Sequence, residues 1–77
     1  MNKDVRDLEV RELYIELFEK YGSLLTPSQQ SIFKLYFYEN LSYSEIANII
    51  ATTRTSVYDS LKKAMKNLDK YNEKIIS

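Results

Sequence analysis

The side chains of this chain that are best suited to chemistry are hydroxyl and basic groups in its C-terminal third. A Thr-Arg-Thr-Ser run occupies residues 53–56, and Tyr58, Asp59 and several lysines follow closely. Hydroxyl and guanidinium groups hydrogen-bond to base edges, whereas lysine ammonium groups neutralise phosphates. At about 100° per residue, Thr55 and Asp59 share a helix face with lysines, opposite an apolar stripe centred on Val57. This pattern is typical of a surface that contacts nucleic acid.

The absence of two residue types excludes most catalytic chemistry. The chain has no histidine and no cysteine, so its serines have no imidazole to activate them. The same absence removes the commonest metal ligands. We therefore expect no enzymatic activity, no catalytic residue, no metal site and no cofactor.

Charge is unevenly distributed along a chain that is neutral as a whole. The 77 residues include 11 basic and 11 acidic groups. By thirds, residues 1–25 sum to −2 (4 − 6), residues 26–50 to −1 (1 − 2) and residues 51–77 to +3 (6 − 3). A locally basic face is therefore compatible with zero net charge. Because no apolar run approaches the roughly 18 residues that span a bilayer, and the N-terminus lacks a signal-like segment, we expect a cytoplasmic protein without membrane contact.

The elements that must position these groups are predicted to be helices in one domain, residues 1–77. One glycine and one proline are too few for an all-β chain. Apolar periodicity and cap signals predict helices over about residues 5–21, 27–39, 43–50 and 54–74. Gly22 is expected to end the first helix with a positive φ.

Helix starts are marked by cap signals. Thr26 with Gln29, and Ser42 with Glu45, have the spacing of capping boxes at the second and third helices. Thr53 is expected to cap the fourth helix.

The short third helix, the tight connection and the long fourth helix predict a helix-turn-helix. Ala47 supplies the small residue that a close helix crossing needs. Ala51 occupies the turn, where a left-handed backbone costs alanine about 1 kcal/mol or somewhat more. We therefore expect a less tight turn or a slightly later start of the fourth helix. The predicted fold is all-α: a small helical bundle with a C-terminal helix-turn-helix, of the winged-helix-like or sigma-factor type but without a sheet.

The run Leu-Ser-Tyr-Ser-Glu-Ile-Ala at residues 41–47, followed by residues 53–63, resembles the YlxM-like family of small bacterial helix-turn-helix proteins. Residues 21–38 match the aromatic segment of that family. Its members are similar to the helix-turn-helix domain of sigma factors, and their genes commonly accompany those for signal recognition particle components. The resemblance implies DNA binding or a part in that pathway. Ala51 and Thr52 depart from it, since the family usually has glycine and an apolar residue there.

We expect a DNA-binding regulator that places helix four in the major groove of double-stranded DNA. The residues expected to face base edges are Thr53, Arg54, Thr55, Ser56 and Asp59, and those expected to face phosphates are Tyr58, Lys62, Lys63 and Lys66. Two alternatives stay open. The lysines could be only the solvated side of an amphipathic helix, and the same fold could serve a protein- or RNA-binding accessory factor of the signal recognition particle pathway.

A lone domain with few phosphate contacts binds DNA weakly at physiological salt, which favours a homodimer. Leu8 and Ile15 lie off the main apolar stripe of helix one, and Phe37 and Tyr38 flank helix two. We expect these four residues to contribute to a dimer surface. The alternative is one well-buried core with scattered exposed aromatic residues.

Overall fold

The computed structural model describes residues 5–76, and the surroundings of the side chains from residue 8 to residue 74. Four helices make up the fold: α1 (Val5–Tyr21), α2 (Pro27–Phe33), α3 (Tyr43–Ile49) and α4 (Arg54–Ile76). A 3₁₀ turn at Gly22–Leu24 follows α1, and a π-helical turn at Lys34–Tyr38 extends α2. Residues 5–76 contain no strand, and the all-α prediction is confirmed.

The core of the molecule forms where α4 packs against α1, α2 and α3. One face of α4 supplies four of its buried side chains, because positions i, i+4, i+7 and i+11 share a helix face. The buried apolar residues are Leu17, Leu25, Ile32, Phe33, Phe37, Ile46, Ala47, Val57, Leu61, Ala64 and Leu68. Each large side chain among them stabilises the fold by about 1.5–3 kcal/mol. No helix within residues 5–76 is long and apolar enough to cross a membrane.

Both predicted capping boxes are confirmed. The Thr26 hydroxyl accepts the Gln29 amide at 3.1 Å, and the Gln29 side chain accepts the Thr26 amide at 3.3 Å. The Ser42 hydroxyl accepts the Glu45 amide at 3.2 Å, and the Glu45 carboxylate accepts the Ser42 amide at 2.8 Å. These reciprocal bonds satisfy amide groups that a helix start otherwise leaves without partners.

The end of the second helical segment differs from a regular α-helix. The Glu39 amide donates to the Lys34 carbonyl at 3.0 Å, one residue further back than in an α-helix. Asn40 then reverses the chain with a φ of 60°. Asparagine tolerates this left-handed conformation better than most residues do. The segment therefore ends sharply just before the cap of α3.

Arg11 on α1 forms hydrogen bonds with the segment in which the chain reverses direction. Its guanidinium donates to the carbonyls of Tyr36 at 2.9 Å and Phe37 at 3.1 Å, and also to the Asn40 side chain. The same group lies 5.2 Å from the centre of the Phe37 ring. These bonds join residues at least 25 positions apart, so no local sequence signal indicated them.

The prediction of a positive φ at Gly22 is wrong, since its φ is not positive. The need for glycine there is steric. A Cβ atom at this position would lie 2.8 Å from ring atoms of Phe18, closer than real side chains approach. The Phe18 ring stacks on Phe33 with centroids 4.4 Å apart, so it has little freedom to move.

Ala51 takes a left-handed conformation with a φ of 56°. The Thr52 amide donates to the Ala47 carbonyl at 2.9 Å, which closes the end of α3 in a Schellman arrangement. The turn is therefore tight and α4 begins at Arg54, so the expectation of a looser turn or a later start is wrong. Packing of the two helices outweighs the strain at a single residue.

The surface expected to form a dimer is smaller than predicted. Phe37 is only 6% exposed and belongs to the core, and Ile15 is half-buried against it. Leu8 and Tyr38 remain exposed. Phe37 packs between the ring of Phe33, with centroids 4.3 Å apart, and the guanidinium of Arg11, and is therefore lost to an outer surface.

Candidate nucleic-acid interface

The site begins with the crossing of α3 and α4. Ala47 on α3 is 5% exposed, and Ile46 beside it is fully buried with Val57 and Leu61 of α4. The small side chain of Ala47 lets the two helices approach closely. The first two turns of α4 are therefore fixed relative to α3, with their outer face in solvent.

Thr53 caps α4, as predicted. Its hydroxyl oxygen accepts the Ser56 amide at 3.1 Å. The hydroxyl hydrogen is still able to donate outward, because a threonine oxygen accepts and donates independently. Thr53 is exposed, so a partner in solvent can reach this hydroxyl at the start of the helix.

A hollow of about 450 Å³ lies between the start of α3 and the first turns of α4. Arg54, Thr55 and Tyr58 line it from α4, and residues 42–44 line it from α3. Two serine hydroxyls, a threonine hydroxyl, a guanidinium and two phenols thus converge on one concave surface. These groups donate hydrogen bonds to phosphate oxygens and base edges.

Residues 42–44 were missed as candidate contacts in the sequence. The signal available for them was the capping box, which explained Ser42 without reference to any partner. Only the crossing angle of the two helices brings Ser42 and Ser44 beside Arg54.

The structure separates the predicted base-facing residues into two groups. Arg54 and Thr55 line the hollow just described, whereas Ser56 lines a different hollow on the far side of α4, against α2 and the turn. Asp59 is exposed on the outer face. A single flat surface cannot therefore touch Ser56 and Tyr58 equally.

The three predicted phosphate-facing lysines are exposed but do not point the same way. The Lys62 ammonium lies 5.8 Å from the centre of the Tyr58 ring, in cation–π geometry. Lys66 follows Lys62 by one helical turn on nearly the same face, whereas Lys63 lies about 100° from Lys62 around α4. The ring of Tyr58 thus holds one of the three ammonium groups in place.

Tyr58 is the last of three tyrosines whose rings pack in a row, after Tyr36 and Tyr43. Tyr36 and Tyr43 stack with ring centroids 5.3 Å apart, and Tyr43 meets Tyr58 edge to face at 5.7 Å. Burial above all, and then the neighbouring Tyr36 hydroxyl, raise the pKa of Tyr43. The Tyr43 phenol is therefore an uncharged hydrogen-bond donor at neutral pH.

The tight α3–α4 crossing and the polar first turns of α4 define the chain as a helix-turn-helix protein. Residues 8–76 match the model of the UPF0122 family, described as "Putative helix-turn-helix protein, YlxM / p13 like". The chain belongs to this family.

Bacterial relatives support the assignment. The UPF0122 protein of Clostridium perfringens strain 13 is 44% identical over 59 residues, which cover 77% of this chain and 53% of the relative. That of Desulforamulus reducens is 48% identical over 59 residues, covering 77% and 50%. That of Bacillus cereus strain AH187 is 42% identical over 60 residues, covering 78% and 54%. The chain spans about half the length of the curated relatives it matches, and no solved structure was found to match it.

Proposed function

We propose that the chain binds double-stranded DNA, with the first turns of α4 in the major groove, and that it acts as a regulator of transcription. The observation that carries this proposal is the hollow lined by Arg54, Thr55, Tyr58 and residues 42–44. It lies beside a rigid helix crossing, and a major groove about 12 Å wide admits one helix of this kind.

The residues divide into two roles in this proposal. The residues that face base edges are Thr53, Arg54, Thr55 and Asp59. Ser56 lies on another side of α4 and reaches the bases only if the helix enters the groove with its N-terminal end first. Lys63 and Lys66 contact phosphates, which provide affinity without sequence preference. Tyr58 borders the hollow and the Lys62 ammonium lies against its ring, so both contact the flanking backbone in this proposal. The proposal assigns no reaction, metal or cofactor.

The test is fluorescence anisotropy with labelled duplexes across a range of salt concentrations. The double variant Lys63→Glu/Lys66→Glu should bind every duplex more weakly and should lower the log–log salt slope by about two units, since each phosphate contact contributes roughly 0.9. Lys20→Glu/Lys34→Glu makes the same charge change at two exposed positions outside α4 and serves as the control. Its slope should change far less, because this variant removes no proposed phosphate contact.

Base recognition is tested separately by selection from a random duplex library. Arg54→Ala should relax preference at one position by about 1–3 kcal/mol while leaving nonspecific binding nearly unchanged. A wild-type protein that binds no duplex at low salt would contradict the proposal.

A protein- or RNA-binding accessory role in the signal recognition particle pathway is the second candidate. The observation that favours it is a second, more apolar groove between α1 and α4, bordered by exposed Leu8 and Tyr58. Binding through such a surface depends on apolar anchors and responds little to salt. Leu8→Ala would then weaken binding more than any lysine reversal.

A further inference from the structure

A hollow of about 440 Å³ lies between α2, the turn after α3 and the first turns of α4. We call it the serine hollow. Ser28 and Ser31 line it from α2, Thr52 lines it from the turn, and Ser56 and Ser60 line it from α4. Its other lining residues are apolar, and none of the described residues around it carries a charge. A partner of this surface therefore meets hydroxyl groups and apolar side chains but no ionic group.

The hydroxyl groups of the serine hollow are available to a partner. Those of Ser28, Ser31 and Ser60 have no hydrogen-bond partner among residues 8–74. Thr52 and Ser56 are exposed, as are both α2 serines. A serine or threonine hydroxyl donates one hydrogen bond and rotates to suit its acceptor. Because hydroxyl side chains are among the groups that contact phosphate oxygens in protein–DNA complexes, the hollow has donors of the kind that a DNA backbone accepts.

The serine hollow and the hollow beside Arg54 lie on opposite flanks of α4. At about 100° per residue, Ser56 of the serine hollow and Tyr58 of the other hollow are about 160° apart around the helix. Val57 points into the core between them, and exposed Asp59 lies on the outer face between them. The outer face of α4 therefore has a hydroxyl-lined hollow on each side.

Two flanking hollows match the two walls of a major groove. An α-helix with its side chains is about 10–12 Å across, and the major groove is about 12 Å wide. A helix in the groove therefore has one DNA backbone along each flank. A flat partner cannot touch Ser56 and Tyr58 together, whereas a groove with two walls touches both. The backbone at the serine hollow offers phosphate oxygens to the hydroxyl groups and deoxyribose carbons to apolar Ile50 and Ala51.

Each flank of α4 also carries one lysine. Lys63 lies about 20° from Ser56 around the helix, on the side of the serine hollow, and Lys62 lies about 40° from Tyr58 on the other side. Both lysines are exposed. Positive charge and hydroxyl donors therefore occur together on both sides of the outer face, as two phosphate backbones require.

We propose that the serine hollow binds the sugar–phosphate backbone of one DNA strand while Tyr58 contacts the backbone of the other strand. Ser28, Ser31 and Ser56 donate hydrogen bonds to the phosphate oxygens. The inference rests on the proposed function and deepens it, because it gives α2 a part in DNA binding and assigns Ser56 to the backbone instead of a base edge.

Fluorescence anisotropy with labelled duplexes tests the contribution of the hydroxyl groups. Ser28→Ala/Ser31→Ala should weaken binding to every duplex about tenfold or more, since each variant position loses a hydrogen bond to a charged group. Its log–log salt slope should equal that of the wild-type protein, because a neutral hydroxyl releases no counterion. Alanine is the strongest helix former, so the variant should stay folded, which circular dichroism checks.

A pair of charged variants provides the matched control. Ser31→Asp places a carboxylate in the serine hollow and should weaken DNA binding about tenfold more than Ser23→Asp, which makes the same charge change at another exposed serine. Ser23 adjoins Leu24, whose carbonyl accepts the Tyr71 hydroxyl at 3.4 Å. Tyr71 is roughly 20 Å further along α4 than the serine hollow, so Ser23 is remote from the proposed contact.

Photo-crosslinking tests proximity directly, since the chain has no cysteine of its own. Ser31→Cys that carries an aryl azide should crosslink to bound duplex, and Ser23→Cys with the same label should crosslink little. Equal crosslinking from both positions, or none from Ser31→Cys, overturns the inference. If the wild-type protein binds duplexes and the double alanine variant binds them equally well, the serine hollow is no backbone site and the proposed function still stands. A wild-type protein that binds no duplex overturns both.

Discussion

At the scale of single residues, Tyr14 and Ala51 have properties that are set by contacts between helices and not by the neighbouring sequence. The Tyr14 hydroxyl on α1 donates to an Asp69 carboxylate oxygen on α4 at 2.8 Å. Burial first, and then this hydrogen bond and the aspartate charge, raise the pKa of Tyr14 to about 12. Ala51 adopts a backbone conformation that its own chemistry disfavours. Each predicts a measurable effect.

Tyr14 should make stability depend on pH in the alkaline range. Its pKa is higher in the folded chain than the ordinary value of 10, so the folded state holds the proton more tightly. The stabilisation is complete below pH 10 and is lost between about pH 10 and 12. The difference in Tm between the wild-type protein and Tyr14→Phe should stay constant up to pH 10 and then shrink. A difference that is unchanged at pH 11.5 would show that folding does not raise the pKa of Tyr14.

Ala51→Gly should stabilise the chain, because glycine adopts a φ of 56° without the steric cost that alanine bears. The expected gain is up to about 1 kcal/mol, or roughly 4–8 °C in Tm for a domain of this size. Thr52→Gly is the control at the next exposed residue, which lacks a positive φ, and it should stabilise nothing. Thermal unfolding followed by circular dichroism measures both.

At the scale of helices, local sequence predicts where each element starts better than how it ends. The capping boxes at Thr26 and Ser42 were predictable because their partners lie three residues away. The π-helical turn and the fixing of Asn40 by Arg11 were not, since they depend on a contact between segments distant in sequence. Gly22 shows the same limit. The sequence predicted a glycine at the end of α1 for its backbone freedom, whereas the structure requires glycine because a Cβ atom would collide with the ring of Phe18.

The cap of α3 should be worth about 1 kcal/mol, so Ser42→Ala should lower the free energy of unfolding by that amount. Ser44→Ala is the matched control, because Ser44 is exposed and makes no cap bond. Chemical denaturation of both variants provides the comparison. Equal values for the two would mean that the box at the start of α3 does not stabilise the helix.

The α3–α4 crossing is sensitive to side-chain size. Ala47 is 5% exposed at the contact, so Ala47→Leu should overpack it and cost about 1–3 kcal/mol. Asn48→Leu places the same leucine side chain at the adjacent exposed position, where nothing confines it, and should change stability little. If Ala47→Leu left the unfolding free energy unchanged, the crossing would have to be looser than its burial indicates.

At the scale of the whole molecule, charge separation was readable from sequence but its arrangement was not. Counting residues along the chain separates an acidic first third from a basic last third. Only the packing of α1 against α4 shows that the acidic helix and the basic helix are neighbours. The candidate DNA contacts followed the same pattern: α4 was identified from periodicity, whereas residues 42–44 joined it through packing alone.

The acidic helix α1 should weaken DNA binding at low salt through long-range repulsion. The molecule measures 38 × 31 × 17 Å, so the α1 carboxylates lie within some tens of ångströms of any DNA bound at α4. Two charges about 20 Å apart in water interact by roughly 0.2 kcal/mol, and the Debye length of about 10 Å at 0.1 M salt removes most of that. Glu16→Gln/Glu19→Gln should therefore raise affinity for any duplex a fewfold at 20 mM salt and by little at 200 mM. Asp59→Asn, on the exposed face of α4, should keep part of its gain at 200 mM, because a contact at the DNA surface is screened less. Anisotropy titrations at the two salt concentrations separate these effects, and a gain from the α1 variant that persists at 200 mM would mean that α1 itself touches the DNA.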